Sequence, residues 1–101
     1  MSVMENRGGW PHVIRSSCTT AGRELPIPFV TKFIQIRASA FPAKVYFTQE
    51  NFDTDADYIE VPIAAAANPH GWSGPAEIQS IWIKGDGGTS NIELVAYQRR
   101  G

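Results

Sequence analysis

From Phe29 onward, apolar and polar residues alternate at every second position in short runs separated by turn formers, and this pattern constrains the fold more than any other feature of the chain. In residues 32–38, Ile34 and Ile36 point one way and Gln35 and Arg37 the other, as a half-buried strand requires. Val30 and Phe33 interrupt the pattern at its start. Residues 44–48 set Val45 and Phe47 toward a core and Tyr46 outward, and Phe41-Pro42 predicts a hairpin between this strand and the one before it. Residues 58–63 alternate again, which predicts burial of Ile59, Val61 and Ile63; Pro62 lacks a ladder donor and puts the strand at an edge or turns Pro62 away from its neighbour. Ile78, Ile81, Trp82 and Ile83 mark a further strand. In a last one, Ile92, Leu94 and Ala96 alternate with Glu93, Val95 and Tyr97. The glycine-rich segment from Gly85 to Asn91 between them predicts a second hairpin with a flexible tip.

A single open sheet of these strands would leave one whole apolar face in water. Two packed sheets avoid that, as would a small barrel, so the expected fold is all-β, a two-sheet sandwich or a jelly-roll-like variant of one, over residues 29–101. Residues 1–28 differ: Gly8, Gly9 and Pro11 break local order, and Pro26 and Pro28 bracket Ile27. They read as an extended arm, with at most a short strand around His12 to Arg15, which wraps its own domain or packs on a neighbour. Residues 51–57 read as a polar connection, and Ala64 to Pro75 as a long loop.

At 101 residues the chain has room for one domain, and 43% hydrophobic with 19% charged residues is too apolar for a disordered tail. No run reaches the roughly 20 apolar residues of a spanning helix, which predicts no membrane partner. A formal net charge of -1 offers no electrostatic reason to bind nucleic acid directly, Arg99 and Arg100 being a small basic tip. Glu5 and Arg7 without a following apolar run predict no secretory signal. The single cysteine, Cys18, makes no internal disulfide, and a domain this small with neither disulfides nor zinc is a candidate for stabilisation by self-association.

The chemical motifs are sparse. Asp53, Asp55 and Asp57 have the alternate-carboxylate spacing of a cation loop, but an EF-hand counted from Asp53 needs Gly and Glu where Tyr58 and Ala64 stand, so a solvated acidic loop is expected. The glycines at 85–88 lack the Lys and helix of a phosphate cradle. His12 and His70 have no partner at a metal-ligand spacing. Glu60, Glu77 and Glu93 are expected on solvent-facing strand positions, and Cys18 lacks a nearby histidine to make it a nucleophile. No cofactor, metal or catalytic residue is therefore predicted, and the protein is expected not to be an enzyme.

Aromatic and apolar residues carry the binding expectation. Trp10 is a candidate anchor in the arm, and Trp72 in the loop is the candidate for exposed recognition, including stacking on a sugar ring; Trp82, between Ile81 and Ile83, is expected to pack on a sheet. With Pro11, Ile27, Val95 and Tyr97, Trp10 and Trp72 make up the predicted partner-binding set.

The runs KFIQIRASAFPAKVYFTQENFDTDADYIEVPI and PAEIQSIWIKGDGGTSNIELVAYQRR resemble the small β-sandwich proteins encoded among bacteriophage virion genes, over roughly residues 30–99. The resemblance implies a late, non-enzymatic structural protein of the virion, made in the host cytoplasm. Such proteins serve in decoration or assembly of capsid, tail or fibre as symmetric oligomers with other virion structural proteins. It brings no catalytic residues. The loop from Ala64 to Pro75 is longer than the family outline and is a candidate contact for a capsid neighbour or a host glycan, the alternative function being carbohydrate binding.

Overall fold

Eight strands and one short helix make up the computed structural model, which describes residues 11–63 and 71–99. They are β1 (Pro11–Cys18), β2 (Arg23–Pro26), β3 (Thr31–Ser39), β4 (Ala43–Tyr46), α1 (Gln49–Thr54), β5 (Ile59–Val61), β6 (Trp72–Pro75), β7 (Ser80–Gly85) and β8 (Ser90–Gln98). Two four-stranded antiparallel sheets form a sandwich, one in the order β1-β8-β3-β6 and the other β2-β7-β4-β5. The pairs β1–β8, β2–β7, β3–β6 and β4–β5 are rungs of one long antiparallel hairpin, rolled so that β3 lies against β8 and β4 against β7. That winding is a jelly roll.

Both predicted hairpins are corrected. β3 and β4 lie in different sheets, and so do β7 and β8. Alternation reports which side of a strand is apolar, and a turn of the same composition serves equally to stay in a sheet or to cross the sandwich. The crossings are tied to one another: the buried Ser90 hydroxyl donates to the Phe41 carbonyl at 2.7 Å, and the Asp86 amide donates to the Pro42 carbonyl at 2.9 Å.

The expected arm is, from Pro11 on, two strands of the sandwich. β1 pairs along its whole length with β8, and β2 pairs with β7, carrying Leu25 and Ile27 into the core. Pro26 is tolerated because β2 lies at the edge of its sheet. Trp10 and the segment 64–70, with His70, lie outside the described residues.

Where the alternation assigned a side, Ile34, Ile36, Val45 and Val61 are inward as predicted. They share one core with Ala38, Ile81, Ile83, Ile92, Leu94, Ala96, Cys18, Leu25 and Ile27. Ile63 departs from expectation and is exposed, because β5 has ended at Val61 and Ile63 makes only an isolated bridge to Ala38. Thr31, like Ser90, is a buried polar residue: its hydroxyl donates to the Ala76 carbonyl at 2.5 Å and accepts from the Ile78 amide at 3.2 Å. Thr31→Val keeps the shape but removes both partners, so denaturant unfolding is expected to show a loss of about 1–3 kcal/mol.

Gln49–Thr54 form α1, which takes up the first part of the segment 51–57 expected as a polar connection. Thr48 caps it by accepting from the Asn51 amide, and Asp55 ends it in the left-handed conformation at φ 55°. The helix explains why Tyr46, outward in β4 as predicted, is nonetheless fully buried: Phe52 and Tyr58 lie on its ring at 5.6 and 5.4 Å. Its hydroxyl donates to the Asp55 carboxylate. Burial, then this hydrogen bond and the neighbouring negative charge, push the phenol well above the usual tyrosine range. The same bond, with Lys44 and Lys84 nearby, holds the Asp55 carboxyl below its usual range against the desolvation that raises it.

A phenol whose proton is held more tightly in the folded state contributes stability that is complete below about pH 10, the unfolded value, and is lost as pH rises toward the folded value. Denaturation midpoints are therefore expected to fall with pH above about 10, and less steeply in Tyr46→Phe. Equal slopes for the two proteins would show that Tyr46 does not govern this range.

Candidate interaction surface

The outer face of the β1-β8-β3-β6 sheet is built in rows by the strand registers. The first row runs Pro75, Phe33, Tyr97, Pro11, and the second Ser73, Gln35, Val95, Val13. A third row holds Arg37, Glu93 and Arg15, and a fourth Ser39, Asn91 and Ser17. The face is thus split lengthwise, apolar at one end and charged or small and polar at the other.

At the apolar end, the Phe33 and Tyr97 rings meet edge to face at 5.9 Å. A bulge between Thr31 and Phe33 sets Lys32 and Phe33 against the single residue Tyr97, and these three side chains line a shallow depression of about 360 Å³. The bulge is also why the alternation fails at the start of this strand, since it lets Thr31 turn inward and Phe33 outward. Val13 and Phe33 are exposed, at 46% and 37%.

The charged end centres on Glu93, which accepts from Arg15 at 3.1 Å and Arg37 at 3.3 Å across the two neighbouring strands. Pairs this exposed contribute little stability each and serve mainly to neutralise the row. A second depression of about 340 Å³ lies beside them, lined in part by Arg15, Arg37, Asn91 and Glu93.

Of the predicted partner-binding residues, this face brings together Pro11, Val95 and Tyr97. Ile27, just after β2, donates its amide to the Gln79 carbonyl at 2.9 Å and lies in the core at 3% exposure, so it offers no surface to a partner. Trp72 begins β6 opposite the inward Ile36, and its half-buried ring packs on the core and on Phe47 at 5.9 Å. The register of β6 therefore turns it away from the loop exposure that was expected. Val13 and Phe33 went unrecognised in the sequence; the signal for Val13 was its alternation with Ile14 beside Arg15.

The other candidate chemistry disperses. Asp55 is taken up by Tyr46 and by Lys44 at 3.8 Å, while Asp53 and Asp57 are exposed. Among the described residues no group of three His, Cys, Asp or Glu side chains gathers to hold a metal. Glu60 lies beside Asp86, whose hydrogen bond is the first cause, before desolvation and charge repulsion, holding its carboxyl above the usual range. Glu77 pairs with Arg99 at 2.8 Å, and the His12 ring meets Phe29 edge to face at 5.8 Å. Burial pushes the Cys18 thiol up, against a backbone hydrogen bond at Ser90 and the nearby Arg23. Among the described residues no helix is long and apolar enough to cross a membrane.

No protein-family model, curated protein or solved structure matches the chain.

Proposed function

We propose that the protein is a non-enzymatic structural component of a virion, made in the host cytoplasm, whose sandwich is a rigid block presenting the outer face of the β8-containing sheet to copies of itself and to other structural proteins. The observation that carries this reading is the apolar end of that face, where Pro11, Val13, Phe33, Val95 and Tyr97 lie in two adjacent rows on paired strands. The fold requires only the inward residues of these strands to be apolar, so an apolar cluster on the outward side serves contact rather than folding. The jelly roll is an architecture that viral capsid and lectin domains share, which supports the reading by analogy of fold alone.

Mass spectrometry of purified particles tests it: the chain is expected among the stoichiometric components. Val95→Glu is expected to lower incorporation about tenfold while leaving circular dichroism unchanged, because a buried contact worth more than about 1 kcal/mol is lost. Absence from particles overturns the proposal. Specific binding on a glycan array would move the assignment to carbohydrate binding.

A further inference from the structure

The four sheet edges are not alike. β2 is four residues long and ends in Pro26, β5 is three residues followed by Pro62, and β6 is four residues ending in Pro75. Short strands and prolines are the devices by which proteins keep an edge from recruiting another strand. β1 has neither protection: it runs eight regular residues with proline only at its first position, and among the described residues no strand lies on its outer side. The contact of Arg23 with Ser16, at 3.0 Å, joins side chains and does not engage the β1 backbone.

We propose that β1 pairs antiparallel with β1 of a second copy about a twofold axis at Ile14, joining two four-stranded sheets into one continuous sheet. The inference rests on the assembly reading above and names its first contact. Residues opposite each other in an antiparallel pair share a face, so a twofold register must set one residue against itself. Centring on Arg15 places two guanidinium groups opposite each other, an unfavourable like-charge pair. Centring on Val13 pairs only residues 11–15.

Centring on Ile14 pairs residues 11–17, sets the half-buried Ile14 against its equivalent on the inner side, and puts Val13 beside Arg15 of the copy. The apolar ends of the two outer faces then flank the new seam. Because the contact is isologous and the other three edges are blunted, association closes at two copies rather than growing into a fibre. Edge pairing of this length buries less than the roughly 800 Å² per partner of a standard interface, so the dimer is expected to be reversible and concentration-dependent.

Cysteine trapping on the full chain tests both the contact and its register. Directly opposed residues lie about 4.5–5.5 Å apart between Cα atoms, within disulfide reach, whereas residues one pair further along do not. Under mild oxidation the double variant Val13→Cys/Arg15→Cys is expected to form a covalent dimer about tenfold faster than Glu50→Cys, a collisional control on exposed α1, since pairing raises the local thiol concentration. Each single variant is expected to cross-link no faster than the control. The native Cys18, 2% exposed, stays out of the reaction.

Cross-linking of the double variant at the control rate, or faster cross-linking of either single variant, overturns the proposal, as does a monomeric mass by light scattering at every concentration of the unmodified chain. A chain present in particles but not trapped loses the self-pairing alone. One that is trapped but absent from particles loses the virion reading alone.

Discussion

Leu94→Ala is expected to cost about 2–5 kcal/mol, a large part of the roughly 5–15 kcal/mol that holds a domain together. Leu94 lies at the middle of β8, between Ile14 of β1 and Ile36 of β3, and is fully buried in the core shared by both sheets. Strands on either side and a packed sheet above leave little freedom to close the cavity, which places the cost toward the upper half of that range. For a chain of this size each kcal/mol lowers the melting temperature by about 4–8 °C, so calorimetry is expected to show a fall of at least about 12 °C. Val95→Ala, one residue along and on the opposite face, is the companion experiment. Its side chain is half-buried on the outer surface, so stability is expected to change by less than about 1 kcal/mol while association weakens. Comparable melting losses at the two positions would mean that the sheet does not present these faces.

Gly85→Ala is expected to be as damaging with a far smaller change in side chain. A Cβ at Gly85 would stand 2.0 Å from the Gly88 carbonyl oxygen and 2.9 Å from that of Cys18, both backbone atoms. The Gly85 amide also donates to the Thr19 carbonyl at 2.8 Å, and the next amide reaches Pro42, so three sheet crossings meet at this point. A clash with rigid backbone has no flexible side chain to displace, and a loss of about 3 kcal/mol or more is expected in denaturant unfolding. Gly87 provides the contrast: its φ is +89°, but the nearest atom to an added Cβ is a Phe41 carbon at 3.6 Å. Gly87→Ala therefore bears only the left-handed backbone cost of about 1–2 kcal/mol. If Gly85→Ala proves the milder of the two, conformation rather than space governs this turn.

These two variants separate what was legible in the residues from what was not. Leu94 was recognisable, with Ile92 and Ala96, as one apolar side of the last strand. The need for glycine at 85 was not, because the atoms that exclude a side chain come from Gly88 and from Cys18, 67 positions away by number. The interaction surface divides in the same way. Val95 and Tyr97 were visible as a second apolar side of the last strand, whereas joining them to Pro11, Val13 and Phe33 required the pairings of β1 and β3 with β8. Trp72 was misplaced because β6 is only four residues, too short for its own pattern to reveal which way it faces, and Ile27 because its burial is set by the distant segment at Gln79.

By itself the sequence determined an all-β fold of packed strands, the inward side of Ile34, Ile36, Val45 and Val61, and the exclusion of Pro62 from a ladder donor position. Those properties are local: a period of two and a missing amide act on the chain wherever it lies. The tertiary structure alone decided that β1 and β2 complete the two sheets, that successive strands cross between layers, and that a short helix covers Tyr46. Each of these depends on which distant segment supplies the neighbouring backbone and apolar surface, and the wrapping of one long hairpin around a single core settles that choice.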